Sequence, residues 1–156
     1  MTTEVQSKLA SLFVPIRQKS LLLPNVTVAE VIPFIRPERV NGAPDWWLGM
    51  SLWRGCAIPL ISFEQANGEA PLDLLSFQPS RRIAIINSTS GREQLPFFSM
   101  VLQQIPRLVR VSAEEIFQED EPHGPCELMV VRVNGELASI PNLDHLEEMI
   151  CDTKLI

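Results

Sequence analysis

The sequence predicts a mainly β fold, in which two small β-barrels of about five strands each pack on one another and a short helix lies near the C-terminus. Thirteen prolines in 156 residues suit a loop-rich β protein better than a helical bundle. The chain also lacks the alternation of helices and strands that a parallel α/β sheet requires. Hydrophobic residues make up 46% of the chain, enough for a sizeable core within one domain of two intertwined barrels, residues 1–156.

Five strands are predicted in the first half of the chain. Short apolar runs rich in Val, Ile and Leu, bounded by polar or turn residues, are typical of strands. Asn41-Gly42 marks a turn between the third and the fourth run. A polar loop follows the fifth run, and within it residues 72–77 are expected to form a short helical turn. The five predicted strands cover residues 9–16, 21–23, 27–35, 46–53 and 56–61.

The second half predicts further strands and the terminal helix. Asn134-Gly135 is the strongest short hairpin signal in the chain, and it joins strands 128–133 and 136–140. Ser112 with acids behind it resembles the start of a helix and leads into an acidic loop. The terminal helix is predicted at 141–150, where apolar residues recur at helical spacing and Pro141 suits a first turn. The remaining predicted strands are 82–87 and a bent pair, 96–103 and 105–111.

Charge and composition exclude several classes of function. The net charge is −6, which suits neither a nucleic-acid phosphate backbone nor an anionic membrane. No apolar run reaches the length of a membrane-spanning helix. Residues 1–7 are polar, so we expect a flexible N-terminus without a secretion signal. Three irregularly spaced cysteines favour reduced thiols, and a cytoplasmic location is therefore predicted.

The most informative segment is 44–63, where two apolar runs flank the pair Arg54-Gly55. This pattern indicates two strands joined by a tight turn. A cation among so many apolar side chains needs a partner, because an unpaired buried charge is very costly. The candidate partner is Glu30, the single acid of an earlier apolar strand. We therefore expect a structural ion pair between Glu30 and Arg54, and we expect removal of Arg54 to reduce stability and partner binding together.

The ordered set of these segments resembles the CheW family, the adaptors that couple chemoreceptors to a histidine kinase. The family shows a V-x-E-[IV] strand, a loop with proline, an apolar strand ending in Arg-Gly, and a strand with an internal proline. Here these are Val28 to Val31, Arg36 to Pro44, Trp46 to Arg54, and Ala57 to Ile61. The closing hairpin and helix also match, so the resemblance covers about residues 9–150.

The resemblance implies two protein partners and no cofactor. One would be the CheW-like regulatory domain of a CheA-type histidine kinase, and the other the signalling tip of a methyl-accepting chemoreceptor, received in an apolar groove between the subdomains. Pro24, Val26, Val28 and the segment 100–105 would flank that groove. Three family positions differ here, where Ser62, Ser99 and Gln103 replace Asp, Gly and Asp. Among branches of the family, the adaptors of type IV pilus chemosensory systems, the ChpC and PilI types, look most similar.

Partner-binding candidates combine the Arg-Gly turn, the tryptophans and the apolar strand near residue 100. Adjacent residues of a strand face opposite sides, so Trp46 and Trp47 are expected to point apart, while Trp53 shares the parity of Trp47. One side is expected to be core, and a Trp exposed on the other side would suit an interface. The candidates are Trp46, Trp47, Trp53, Arg54, Gly55, Met100, Leu102 and Gln103.

An enzyme is not expected. His123 and His145 lack metal-ligand spacing with a cysteine or with each other, and no phosphate loop or nucleophile elbow is present. No catalytic and no metal-binding residue is therefore predicted. Three alternatives remain open at this point. They are a small-molecule-binding β-barrel with a Trp-lined cavity, a hydrolase that uses Cys56 or His145, and a degenerate adaptor that binds one partner only.

Overall fold

Two antiparallel-rich sheets form the body of the protein in the computed structural model, which describes residues 8–156. The predicted flexible N-terminus, 1–7, lies outside the described residues. The strands are β1 (Leu9–Ile16), β2 (Lys19–Pro24), β3 (Val28–Pro33), β4 (Trp47–Trp53), β5 (Cys56–Ile61), β6 (Arg82–Asn87), β7 (Phe97–Leu102), β8 (Arg107–Val111), β9 (Ile116–Glu119), β10 (Glu127–Val133) and β11 (Glu136–Pro141). Two helices, α1 (Phe63–Ala66) and α2 (Leu143–Asp152), and two 3₁₀ turns, Asn25–Thr27 and Ala113–Glu115, complete the fold.

The sheets are interlocked along the chain. Sheet A has the strand order β8-β1-β2-β11-β10-β9, so the first hairpin pairs with strands from the end of the chain. Sheet B has the order β3-β6-β7-β5-β4 and takes its strands from the middle. A bridge between Glu38 and Met50 brings the segment after β3 onto β4, which curls sheet B toward closure. The predicted class, mainly β with two packed subdomains and a short C-terminal helix, is confirmed. About five strands are expected in each subdomain, and in residues 8–156 sheet A has six strands and sheet B has five.

Three apolar clusters fill the space around the sheets. The inter-sheet cluster contains side chains of both sheets and both helices, such as Leu21, Phe63, Phe98 and Leu146. A second cluster lies on the other face of sheet A, around Phe13 and Val131. A third lies on the other face of sheet B, around Trp53 and Ile85. The central strands are thus buried on both faces, which explains why they read as continuous apolar runs.

Several predicted elements differ from those observed. The acids behind Ser112 form a capping box, but the chain makes only one 3₁₀ turn before β9 begins. Residues 72–77 do not form a helical turn, whereas α1 follows directly on β5. The expected pair 96–103 and 105–111 corresponds to β7 and β8, which belong to different sheets. Pro141 ends β11, and Asn142 caps α2 by accepting a hydrogen bond from His145 N–H at 3.1 Å.

Candidate functional site

The turn between β4 and β5 has an unusual residue for its geometry. Arg54 and Gly55 have φ of +49° and +78°, the two positive values of a type I′ turn. The β10–β11 hairpin uses the same geometry with Asn134-Gly135, at φ +50° and +81°. Asn tolerates the left-handed region better than other non-glycine residues, whereas Arg gains nothing there. A strained residue at a turn motivates the hypothesis that its side chain serves another purpose.

Glu30 on β3 holds both side chains at the end of β4. Its Oε2 accepts a hydrogen bond from the Trp53 indole Nε1 at 2.8 Å, and its Oε1 lies 3.4 Å from Arg54 Nη2. The Arg54 guanidinium carbon stands 4.9 Å from the centre of the Trp53 ring, a cation–π distance. The Trp53 hydrogen bond lowers the pKa of Glu30, and the Arg54 charge acts in the same direction against partial desolvation. The three side chains form one unit, which we call the Arg54 clamp.

The predicted meeting of Glu30 and Arg54 is present, but the expectation of a buried pair is wrong. The Arg54 side chain is 69% exposed and that of Glu30 is 38% exposed. A side chain on a two-residue turn points away from both strands, so the flanking apolar residues do not enclose it. Exposed ion pairs add little to stability. The guanidinium is therefore restrained in direction while it remains open to solvent.

The tryptophans do not lie as their parity predicts. Trp46 precedes β4 and stacks on Trp47, with ring centres 6.5 Å apart and planes 18° apart, so the two do not point to opposite sides. Trp47 and Trp53 are both buried, but Trp47 belongs to the inter-sheet cluster and Trp53 to the cluster of sheet B. The register of β4 shifts between Trp47 and Gly49, and such a bulge reverses the faces that follow it. Only half-buried Trp46 is open to a partner.

The strand near residue 100 is also mostly internal. Met100 and Leu102 are completely buried in the inter-sheet cluster, which corrects the prediction that they contact a partner. Both faces of β7 are covered, one by sheet A and the other by the cluster of sheet B. Gln103, just beyond the strand, is half-buried and Gly55 is exposed. These two and Trp46 stay in the set of candidates with Arg54.

The three departures from the family pattern have different consequences. Ser62 caps α1 by accepting the Gln65 N–H at 3.2 Å, a role that Asp performs equally well. Ser99 is fully buried, and its hydroxyl donates to the carbonyl oxygen of Pro59 at 2.8 Å. Both are thus internal structural substitutions. Only Gln103 reaches the surface, so it alone can change a direct partner contact.

The predicted groove is only partly visible. Val26 and Ile105 are both exposed. Val26 follows β2, near the start of β1. Ile105 lies near the end of β1, where the Gln103 N–H donates to the Pro15 carbonyl at 3.0 Å. Ser11, which pairs with Pro24, and Pro15, which Gln103 contacts, are four residues apart on β1, a distance of about 13 Å. The exposed apolar side chains thus lie at opposite ends of β1, and a receptor groove remains a prediction.

The catalytic alternative names Cys56 or His145, and the structure lends it no support. Cys56 is an exposed thiol at the start of β5, and among the described residues no hydrogen bond joins it to a histidine. Burial raises the pKa of the Cys126 thiol to about 11, and the Glu127 charge adds to this, so the thiolate nucleophile is suppressed. His145 lies at the start of α2 and His123 in an exposed loop. Within residues 8–156, no group of three or more His, Cys, Asp or Glu side chains could hold a metal ion.

The small-molecule alternative requires a cavity lined by Trp. Trp53 is packed in the cluster of sheet B, whereas Trp47 lines a surface cavity of about 230 Å³ together with Leu48, so this alternative stays a prediction.

A second surface, which the sequence patterns did not indicate, lies beside sheet B. The loop 67–81 carries two strongly exposed apolar side chains, Leu75 and Phe77, and Arg81 and Arg82 follow them. The sequence signal for this surface is the largely apolar segment 72–77, which is separated by three residues from Arg81-Arg82 and predicts a short helical turn. No helix in the described part of the chain has the length and apolar character needed to cross a bilayer.

Comparison with known proteins agrees with this architecture. The model of the CheW-like domain matches residues 11–150, most of the chain. The chain belongs to the CheW-like family. Its fold is similar to that of the scaffolding protein TtCheW from Thermoanaerobacter tengcongensis, with a TM-score of 0.72, 13% sequence identity, and coverage of 92% of this chain and 90% of that one. At this identity, the likeness of the two CheW-like proteins is one of fold. No curated protein sequence matches the chain.

Proposed function

We propose that this protein is a non-enzymatic adaptor that couples a methyl-accepting chemoreceptor to a CheA-type histidine kinase. Membership of the CheW-like family supports this role, and so does the likeness to a protein described as a scaffold. The regulatory domain of the kinase and the signalling tip of the receptor would dock on one body, so that receptor conformation biases kinase activity. The adaptor needs no cofactor, acts in the cytoplasm, and reaches receptor arrays through its partners.

The interlocked sheets support a single docking domain. Sheet A contains strands from both ends of the chain, and sheet B lies between them in sequence. One apolar cluster joins side chains of both sheets and both helices. A domain of this kind can hold two partners at fixed relative positions, because a packed core does not deform continuously.

The Arg54 clamp is the observation that carries the proposal. A guanidinium that is mostly exposed, yet fixed over an indole ring and against a carboxylate, is ready to bind a partner at little entropic cost. Arg and Trp are also enriched among residues that dominate binding energy. The strained turn position of Arg54 is then retained for docking, and we assign the kinase regulatory domain as its partner.

The test is Arg54→Asn. This substitution removes the guanidinium and gives the β4–β5 turn the same Asn-Gly sequence that the β10–β11 turn has at Asn134-Gly135. We expect the midpoint of thermal unfolding to stay within about 4 °C of the parent, because an exposed pair contributes little and Asn suits the turn. We expect affinity for the kinase regulatory domain to fall about tenfold or more. Calorimetric titration of the parent and of Arg54→Asn with the kinase regulatory domain measures the affinity, and thermal unfolding of both proteins measures the midpoint.

Arg110→Ala is the matched control, because Arg110 is an exposed arginine on β8 in the other sheet. Arg110→Ala should change neither the midpoint of thermal unfolding nor the affinity for the kinase regulatory domain. Unchanged kinase affinity in Arg54→Asn would refute the docking role of the clamp. A large loss of thermal stability in that variant would instead return Arg54 to a structural role.

A narrower version of the proposal is a degenerate adaptor that binds one partner and competes with a complete one. Gln103 favours it, because this half-buried residue is the one departure from the family pattern that reaches the surface. Separate pull-downs with the kinase regulatory domain and with a receptor signalling fragment distinguish the two versions. Assignment to type IV pilus or twitching signalling is a further proposal, and neighbouring pilus genes would support it.

A further inference from the structure

The loop after α1 is ordered by a local turn although it contains no helix or strand between 71 and 81. Asp73 Oδ1 accepts hydrogen bonds from Leu75 N–H at 3.0 Å and Ser76 N–H at 3.3 Å, and its Oδ2 accepts one from the Ser76 hydroxyl at 2.5 Å. The Asp73 carbonyl oxygen accepts a hydrogen bond from Arg81 Nη2 at 2.9 Å. The loop is therefore tied down at its centre and at its end.

This ordered loop exposes two large apolar side chains. Leu75 is 85% exposed and Phe77 is 87% exposed. Single exposed apolar residues are ordinary, but these two lie beside one another on a surface bounded by Phe34 and Leu74. Because the backbone beneath them is already fixed, the loop loses little conformational entropy when a partner covers these side chains.

Arg81 places a buried positive charge behind this apolar surface. It is only 6% exposed, and its guanidinium carbon stands 5.2 Å from the centre of the Phe34 ring. Its Nε has no hydrogen-bond partner within residues 8–156. The carboxylate of Asp73 uses its oxygens for the turn described above, and its charge interaction with Arg81 is the smallest of the effects that act on the Asp73 pKa. A buried guanidinium with a free donor is costly, and an incoming anionic group would compensate it.

Two adjoining cavities connect these features. The larger has a volume of about 420 Å³, and it is lined by Phe34, Phe77 and three arginines, Arg36, Arg81 and Arg82. None of the described residues that line it is acidic. The smaller, of about 230 Å³, shares Arg36, Leu74 and Leu75 with it and extends to Trp47 and Leu48. It is also lined by Arg39 and by one acid, Asp45. The chain has a net charge of −6, but four arginines and one aspartate line the two cavities, so the charge of this apolar trough is locally positive.

We propose that this trough, which we call the loop groove, binds an acidic amphipathic peptide segment of a protein partner. Apolar side chains of the peptide would cover Leu75 and Phe77, and its carboxylates would meet Arg36, Arg81 and Arg82. A small inorganic anion would use the arginines but leave Leu75 and Phe77 uncovered. The two cavities adjoin one another, which favours a ligand longer than a single ion, and an amphipathic segment in an apolar groove is a recurrent mode of recognition.

The probe is a fluorescein-labelled peptide of two Leu-Glu-Glu-Leu-Leu-Glu-Glu repeats, compared with the same peptide carrying Gln in place of Glu. Fluorescence anisotropy with the full chain at about 150 mM salt, where long-range charge effects are screened, measures the affinities. We expect the Glu peptide to bind at least about tenfold more tightly than the Gln peptide. Phe77→Ser and Arg36→Glu should each weaken binding of the Glu peptide about tenfold or more.

Matched controls come from the other sheet. Phe117→Ser and Arg110→Glu replace exposed residues of the same types on β9 and β8, and neither should change the affinity. Arg54→Asn should also bind the peptide normally, so failure of the loop groove and failure of the adaptor proposal are distinguishable.

Four outcomes would overturn the peptide assignment. Equal binding of the Glu and Gln peptides would remove the role of charge. Full displacement of the peptide by millimolar inorganic phosphate would indicate a small-anion site. Sedimentation with phosphatidylserine vesicles that is lost in Phe77→Ser would indicate a membrane surface. A dimer in solution that dissociates in Phe77→Ser would make a second copy of this chain the occupant.

Discussion

Glu127→Gln is expected to lower the free energy of unfolding at neutral pH by about 2–4 kcal/mol, because it removes a buried charge that four groups share. Oε1 accepts from Asn67 Nδ2 at 2.7 Å and Gly124 N–H at 2.9 Å. Oε2 accepts from Lys19 Nζ at 3.0 Å and from the Ser139 hydroxyl. Asn67 follows α1, so this carboxylate ties sheet A to the helix that extends from sheet B. Denaturant unfolding measures the loss.

The same substitution should flatten the acid dependence of stability. Burial alone would raise the pKa of Glu127, but the hydrogen bonds from Gly124, Ser139, Asn67 and Lys19 outweigh it and lower the pKa to about 2, from an ordinary 4.5. Because the folded-state pKa is the lower one, the unfolded chain takes up the proton first as the pH falls. The stabilisation is thus complete above about pH 4.5 and is lost as the pH falls toward about 2.

Glu136→Gln is the control for both measurements. Glu136 also pairs with a basic side chain of sheet A, Arg107, but both partners are largely exposed. It should cost no more than about 1 kcal/mol and leave the acid dependence in place. Equal effects of Glu127→Gln and Glu136→Gln would show that the buried network contributes nothing beyond an ordinary surface charge.

The sequence predicted the strands that have strong local patterns. The β4–β5 and β10–β11 hairpins have the expected turns because Arg54-Gly55 and Asn134-Gly135 both carry a glycine at the second turn position. The terminal helix was found from the spacing of Leu143, Leu146 and Ile150, although it begins two residues later than predicted. In these elements the local signal and the tertiary packing favour the same conformation.

Elements that depend on long-range pairing were missed. The four residues of β9 have no alternating pattern of their own, and they become a strand because Val131 and its neighbours on β10 pair with them. The apolar run 72–77 has helical spacing, but Asp73 diverts the backbone into a turn and leaves Leu75 and Phe77 in solvent. Propensity is a weak prior against such tertiary and side-chain interactions.

The sequence predicted which side chains meet at the candidate site, but it did not predict how exposed they are. The single acid of β3 and the arginine of the β4–β5 turn do meet, as their occurrence in apolar strands indicated. Exposure could not be read from the sequence, because it depends on the direction in which the turn projects Arg54. The faces of the tryptophans were predicted from a period of two residues, and the bulge at Gly49 breaks that period.

Gly49→Ala is expected to lower the free energy of unfolding by about 3–4 kcal/mol, because the added methyl group has no space. A Cβ at Gly49 would lie 2.3 Å from the carbonyl oxygen of Glu38, and that oxygen belongs to backbone that pairs with β4. Relief of the clash breaks the hydrogen bonds Glu38 N–H to Met50 O, 3.0 Å, and Met50 N–H to Glu38 O, 2.7 Å. The φ of +149° adds strain for any L side chain.

Gly42→Ala is the control that separates the cost of the Cβ clash at Gly49 from the cost of placing an L residue at a positive φ. Gly42 also has a positive φ, +80°, but its Cβ would meet open space, so the cost should be only about 1–2 kcal/mol. Gly49→Ala should in addition weaken the acidic peptide at the loop groove, because the displaced segment carries Phe34 and Arg36. Denaturant unfolding and peptide anisotropy on the same two variants test this. A Gly49→Ala variant as stable as Gly42→Ala would mean that the segment beside β4 yields freely and does not position the groove.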